Sequence, residues 1–285
     1  MKILVVAPDI PATSRMPGSP RLFSLCRELS RPHELYLVTY CSSQERYQSF
    51  LNDATTSHVF RRIEVLPDPP AVRWWGQQWH RAHLAAHFEM RYRHAGYYRS
   101  IRERILELCS HERIDLIYAD LLAMSQYVDL QMNIPAIVDL HDSMTLLSRR
   151  MLNAERGWRK RLSAYLGLIS AKRLEGTLGR TFDLVITNSV VDVQVIRELS
   201  SNLKTLTITN GVDMEYFSPS AGVVEEDKIV FTGVMGYAPN EDAALHFAED
   251  MFPLIKAKRP QAQFWIVGSE PSERVKSLTR ISGIH

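Results

Sequence analysis

The sequence predicts an α/β protein built on doubly wound parallel sheets, and three observations lead there. The chain opens on an apolar run without alternation, Ile3-Leu4-Val5-Val6-Ala7, the pattern of a strand buried on both faces. A loop, a helix start and a second strand follow, in the order of a Rossmann-like unit. Strands then alternate with helical stretches as far as Thr209, and the alternation resumes at about Asp227. At 285 residues there is length for two domains, or for one and a fraction.

Taken in order, residues 2–7 form the first strand and Pro8 to Gly18 a loop. Ser19-Pro20 supplies an N-cap and a first-position proline. Leu22, Leu25, Cys26 and Leu29 then fall at helical spacing until Pro32. Glu34 to Tyr40 reads as a strand, Gln44 to Ala54 as a helix, and Val59 to Leu66 as a strand closed by Pro67-Asp68-Pro69-Pro70. Asp115 to Ala119 is a strand, Leu121 to Met132 a helix and Ile134 to Leu140 a strand, with Pro135 near its start where a sheet tolerates it. One long helix is expected over Asn153 to Leu178, carrying Trp158, Leu162, Tyr165, Leu166, Ile169 and Leu174. Phe182 to Thr187 is a strand, Ser189 caps a helix from Val190 to Leu199, and Thr205 to Thr209 closes the first half. In the second half Ile229 to Thr232 and Gln263 to Val267 are strands. Asn240 is expected to cap a helix with Glu241 and Asp242 in its first turn, and Pro253 to kink or break it. Glu270 to Arg280 forms the last helix.

Composition narrows the class. The chain is 45% hydrophobic and 23% charged, as a folded globular protein is. A formal net charge of +2 implies no general affinity for nucleic acid. Cys26, Cys41 and Cys109 are unclustered and odd in number, which predicts a reduced, cytoplasmic compartment and no metal site. The opening apolar run is too short for a signal peptide, and the roughly 18 consecutive apolar residues of a membrane span occur nowhere. One segment departs from this average. Between Val72 and Arg104, Trp74, Trp75, Trp79, Phe88, Tyr92, Tyr97 and Tyr98 interleave with seven arginines, among them Arg91 and Arg93, against Glu89 and Glu103. Such a stretch either docks on an anionic membrane surface or packs its aromatic rings on the sheet and solvates its charges.

Open parallel sheets bind ligands beyond the carboxyl ends of their strands. That rule selects the Pro8–Gly18 loop, His141-Asp142-Ser143, Asn188-Ser189, Gly233 and Gly268, which are expected to face a common cleft. A histidine after the 134–140 strand can donate or accept near neutral pH, with Asp139 and Asp142 placed to fix its tautomer or raise its pKa. Gly18 lets backbone amides at a helix start approach a phosphate, although Pro20 removes one donor.

Leu206-Thr207-Ile208-Thr209, then Asn210-Gly211-Val212-Asp213, then Phe217-Ser218-Pro219, and after a spacer Ile229-Val230-Phe231-Thr232-Gly233, resembles the interdomain crossing of retaining glycosyltransferases of the large family 4, which have the GT-B fold. Gly236-Tyr237-Ala238-Pro239-Asn240-Glu241-Asp242-Ala243 is similar to the branch found among exopolysaccharide and exosortase-associated sugar transferases. The resemblance implies a complete N-terminal Rossmann-like domain over 1–210, a linker over 211–227 and a partial second Rossmann-like domain over 228–285. It implies a nucleotide-diphosphate sugar as donor, a glycan or lipid-linked acceptor, and no cofactor or essential metal. By the same resemblance His141 lies beside the donor sugar as the catalytic candidate, supported by Asp139 and Asp142. Gly18, Asn188, Gly233 and Gly268 line the donor, while Trp74, Trp75, Arg91 and Arg93 lie on the acceptor or membrane side, peripheral to the inner face. Glu175 matches a frequent family glutamate and reads as structural support.

Two departures shape the expectation. The residues after Gly233, as far as Glu241, include no Lys or Arg to meet the leaving diphosphate, and the family's late Glu–seven residues–Glu motif is missing. This chain alone is therefore expected to be weakly active or inactive, and the edge left by the missing strands to favour either a partner chain completing the second domain or poor solubility. The alternatives are a non-catalytic or split-enzyme subunit binding acceptor, membrane or partner, and a nucleotide-sugar epimerase of the same architecture, which the Asn210-Gly211-Val212-Asp213 and Pro239-Asn240-Glu241-Asp242-Ala243 stretches oppose.

Overall fold

A computed structural model describes residues 1–11, 19–41, 44–53, 56, 58–67, 90–154, 157–214, 216–218 and 226–285, without the side chains of residues 46, 92, 93, 154 and 238. The chain divides into two compact units, Met1–Phe217 and Ser218–His285.

In the first unit, β1 (Lys2–Ala7) shows why an unalternating apolar run becomes a central strand. Leu4 and Val6 enter one hydrophobic cluster, and Ile3, Val5 and Ala7 enter another on the opposite face. Helix α1 (Pro20–Leu29) starts as its sequence predicts: Ser19 accepts from the Leu22 amide and Pro20 occupies the first turn. It is followed by β2 (Glu34–Tyr40), α2 (Gln44–Asn52) and β3 (Arg62–Leu66). Then come α3 (Met90–Arg93), α4 (Ala95–Glu112), β4 (Leu116–Asp120), α5 (Leu121–Ser125) and β5 (Ala136–Asp139). After α6 (Met144–Ala154) and α7 (Trp158–Thr177), the unit ends with β6 (Leu184–Thr187), α8 (Val190–Leu199) and β7 (Thr205–Thr207).

The seven strands form one parallel sheet in the order β3-β2-β1-β4-β5-β6-β7. The order reverses between β1 and β4, which is the switch point where such sheets open a crevice. Leu22, Phe23, Cys26 and Phe50 cover one face; Ile101, Ile105, Leu108 and Ile196 cover the other. The same burial pushes the Cys109 thiol up to about 12 and Cys26 higher still, so both act as small core hydrophobes.

In the second unit β8 (Lys228–Thr232) and β9 (Gln263–Val267) pair in parallel, and Phe264 bridges to Ile284. Helix α9 (Ala238–His246), a π turn over Phe247–Met251, α10 (Phe252–Lys258) and α11 (Glu273–Ser277) complete it. Leu245, Ala248, Phe252, Ala262, Phe264, Leu278 and Ile284 make its core.

Several elements differ from the sequence reading, each for a local reason. The long helix expected over 153–178 runs from Trp158 to Thr177, with Gly157 as its extended N-cap, and a separate helix over Met144–Ala154 precedes it. Leu121–Met132 is a short helix followed by a 3-10 turn, Leu130–Met132, whose amide the Asp129 side chain caps. Asn240 is not a cap. Tyr237 holds that position, Pro239 sits in the first turn, and the Asn240 side chain donates to the Val234 carbonyl. At Pro253 the α-helix is interrupted, as the sequence predicts: a π turn over Phe247–Met251 separates α9 from α10 and leaves the proline in the first turn of α10, where no amide is required of it. The last helix begins at Glu273, capped by Ser272.

Candidate active site

Two strand ends beside the switch point carry the candidate chemistry. Asp120 and Asp139 lie opposite each other in the β4–β5 register, and each strand leaves the sheet through a residue of positive φ, Leu121 at 65° and His141 at 61°. A left-handed conformation is costly for leucine and uncommon for histidine, and such strain persists where surrounding structure imposes it. At His141 the chain reverses within three residues: the Asp142 amide donates to the Leu140 carbonyl at 2.8 Å. That turn presents the imidazole to Asp120, with Nε2 2.9 Å from Oδ1. Among the described residues Nδ1 has no hydrogen-bond partner, and the side chain keeps 20% of its exposure.

Behind the imidazole sits a saturated carboxylate. Asp139, fully buried, accepts from Arg21 Nη2 at 2.9 Å and Nε at 3.2 Å, from the Tyr118 hydroxyl at 2.8 Å and from the His141 amide at 3.1 Å. Arg21 is itself spoken for, its Nη1 donating to the Ile208 carbonyl at 2.8 Å and to Asn210 Oδ1 at 2.9 Å.

Electrostatics follow from this packing. Burial raises Asp120 above the usual carboxylate range, against the lowering influence of its bond to His141. Burial alone pulls His141 down; the hydrogen bond and charge of Asp120, with Asp139 behind it, outweigh that, and the net shift is upward. The charged imidazole is thereby favoured nearer neutral pH.

A second layer fixes the turn. Asn188 donates its amide to the His141 carbonyl at 2.7 Å and its side-chain nitrogen to Asp142 Oδ1 at 2.9 Å. Asp142 thus grips Asn188, and the imidazole partner is Asp120 instead. Ser143 Oγ caps α6 through the Leu146 amide. Glu175, fully buried on α7, accepts from Ser143 Oγ and from the Met144 and Thr145 amides. Its role is to hold the start of α6 beside the turn.

In the second unit Gly233 and Gly268 follow β8 and β9. A Cβ on Gly268 would lie 1.7 Å from the Gly233 carbonyl oxygen, so the two loops touch backbone to backbone. The Gly233 amide donates to Val267 and the Met235 amide to Ser269.

Gly18, Trp74 and Trp75 lie outside the described residues, as does the Arg93 side chain; Arg91 is exposed on α3. In the remainder of that segment Tyr98 is buried, stacked 5.7 Å from Tyr127, and Arg102 and Arg104 pair with Asp129 and Glu64. Among the described residues no cluster of His, Cys, Asp or Glu is placed to hold a metal ion.

Asp120 and Arg21 escaped the sequence reading. Asp120 ends a strand at its carboxyl side, where the crevice rule applies. Arg21 puts a cation in the first turn of a helix, where the dipole disfavours it; a buried anion nearby was the missing half of that signal.

No protein-family model matches the chain, and no curated protein matches it in sequence. Solved structures do. The chain is similar to sucrose-phosphate synthase from Thermosynechococcus elongatus, with a TM-score of 0.64 and 15% identity over 100% of this chain and 69% of that one. It is similar to UDP-glucose: anthocyanidin 3-O-glucosyltransferase in complex with UDP, with a TM-score of 0.53 and 11% identity over 96% and 68%. It is also similar to UDP-GlcNAc 2-epimerase from Methanocaldococcus jannaschii, with a TM-score of 0.50 and 10% identity over 98% and 68%. At these identities the likeness is one of fold: the chain has the GT-B glycosyltransferase fold over somewhat more than two thirds of its neighbours' length.

Proposed function

We propose that the chain is a retaining glycosyltransferase of the family 4 kind, moving a sugar from a nucleotide-diphosphate donor to a glycan or lipid-linked acceptor in exopolysaccharide synthesis. The observation that carries this reading is the His141–Asp120 pair, formed by a left-handed turn after β5 beside the sheet's switch point. Asp120 holds Nε2, and Nδ1 is left for a ligand. A protonated imidazole there donates Nδ1–H to a donor hydroxyl and places positive charge near the leaving group, the preorganised stabilisation that glycosyl transfer requires. Asn188 and Asp139 keep the turn in place. Gly233 and Gly268, which open the loops after β8 and β9, suit a close backbone approach to diphosphate. The basic aromatic segment around Trp74, Trp75, Arg91 and Arg93 suits a lipid-linked acceptor at the inner face of a membrane.

Isothermal titration with UDP, GDP and their sugars tests the reading. Saturable binding that His141→Ala weakens by at least about tenfold supports it, since a charge-assisted hydrogen bond is worth about 1.5–3 kcal/mol. No binding by folded chain sinks it. A second reading, a binding subunit without catalysis, is favoured by the absence of Lys or Arg from Gly233 to Glu241. Release of nucleotide diphosphate from a bound donor in the presence of acceptor separates the two. Conversion of UDP-GlcNAc to its 2-epimer, followed by proton NMR, would instead identify an epimerase.

A further inference from the structure

Arg21 holds more of the candidate site than a counter-ion needs to. Its Nε and Nη2 go to Asp139, at 3.2 Å and 2.9 Å from Oδ2 and, for Nη2, 3.3 Å from Oδ1. Its Nη1 faces the other way and donates to the Ile208 carbonyl at 2.8 Å and to Asn210 Oδ1 at 2.9 Å. Every N–H of the guanidinium thus has an acceptor, and the side chain keeps only 10% of its exposure. The two sets of acceptors belong to different parts of the chain. Asp139 ends β5, Ile208 and Asn210 follow β7, and β6 lies between those strands in the sheet. Beyond Asn210 the chain runs out to the end of the first unit at Phe217.

A planar guanidinium joins these acceptors as a rigid fork. Hydrogen bonds weaken steeply with distance and angle, so a displacement at 208–210 either breaks the Nη1 bonds or turns the fork against Asp139. Asp139 in turn accepts the His141 amide at 3.1 Å, at the start of the left-handed turn. Contacts therefore run without a gap from Asn210 through Arg21 and Asp139 to the residue that carries the imidazole.

We propose that Arg21 is a positioning residue for His141, relaying to it any change in the segment 208–210 by which the chain leaves the sheet. The inference rests on the reading of His141 as the catalytic group, but its test requires no sugar transfer. Among the described residues, the charged groups that face the imidazole are Asp120 from β4, Asp139 from β5 and Arg21 from α1. Asp142, in the same turn, is engaged by Asn188; Asp192 on α8 is engaged by the Ser143 amide and the Ser189 hydroxyl, and Glu175 on α7 by the start of α6. Beyond burial, which disfavours the charged ring, Asp120 and Asp139 favour it and Arg21 opposes them. A loosened guanidinium leaves the Asp139 charge less compensated, and the imidazolium gains.

Proton NMR of the His141 ring against pH, on the full chain without nucleotide or acceptor, reads the relay; His141→Ala assigns the signal. Asn210→Ala, at an exposed position, removes one acceptor of Nη1 and should move the titration to higher pH. Arg21→Gln should move it further in the same direction. Arg21→Lys keeps the cation and gives up the fork, so on that background Asn210→Ala should cause no further movement, which closes a double-mutant cycle. An arginine that only stabilised the fold would lower the unfolding midpoint and leave the ring titration in place. The proposal is overturned if Asn210→Ala leaves the titration unmoved in the parent chain, or moves it equally on the Arg21→Lys background. Both results can be read even where Arg21→Gln does not fold. Absence of nucleotide-sugar binding would sink the transferase reading and leave these titrations unaffected, so the two failures are distinct.

Discussion

Arg21→Met removes the cation that holds Asp139, and its cost can be worked from the contacts. The substitution deletes the two-nitrogen grip on Asp139 and the bonds to Ile208 and Asn210. Asp139 is left fully buried with the Tyr118 hydroxyl and the His141 amide as donors. Removing one partner of a buried pair costs about 3–5 kcal/mol, because the other charge stays behind. The two remaining donors argue for the lower end, about 3 kcal/mol. For a unit of this size that corresponds to a fall in Tm of about 6–12 °C. Urea unfolding followed by far-UV circular dichroism measures it, with the double variant Arg21→Met/Asp139→Asn alongside. Loss of the stranded charge should make the double variant less damaged than the sum of the singles, by about 1–3 kcal/mol. The reasoning fails if Arg21→Met costs no more than a surface change, about 0.5 kcal/mol, or if the two substitutions simply add.

Asp120→Asn tests the imidazole pair. Asp120 and His141 are both raised in the fold, so the stability they contribute is present at acid pH and lost with rising pH, from 3.8 upward for Asp120 and from 6.5 upward for His141. With Asn at 120 the NMR titration of the His141 ring should move to lower pH, and the decline in urea midpoint between about pH 6 and pH 8 should shrink; an unmoved titration would refute the pairing. Gly268→Ala tests the backbone contact in the second unit. A methyl 1.7 Å from the Gly233 oxygen forces the loops apart, at about 1–3 kcal/mol or more. Amide exchange should accelerate at Phe231 and Ile266 and stay unchanged in β1 and β4; unchanged exchange throughout would contradict the packing.

What could be read from the sequence was what is local. β2, β9 and α8 fall where their residues predict, and Ser19-Pro20 and Ser189 begin helices through contacts spanning three residues. His141 was placed by a rule about strand ends, which needs only the strand. Its partner at Asp120 and the Arg21–Asp139 pair join residues 21 and 118 apart, and neither separation carries a periodic signal. Helix α7 shows another limit. Its apolar residues have helical spacing, yet the structure buries Leu168, Ala171 and Glu175 and leaves Trp158, Leu162, Tyr165, Leu166 and Ile169 outside. A hydrophobic period marks a face of a helix without saying what covers it.

The torsion at position 141 limits what the position can become. Its amide is bound to Asp139, its carbonyl to Asn188, and the next amide to Leu140, so the main chain there is fully committed whatever side chain it bears. Gly, Asn, Asp and His accept a φ of 61° most readily, and β-branched residues resist it. The usable alphabet is therefore set by geometry before chemistry has a vote. Of those four letters, only His carries a group that ordinarily exchanges its proton near neutrality. A mutational library at this site should sort first by backbone tolerance, and only within the tolerated set by function.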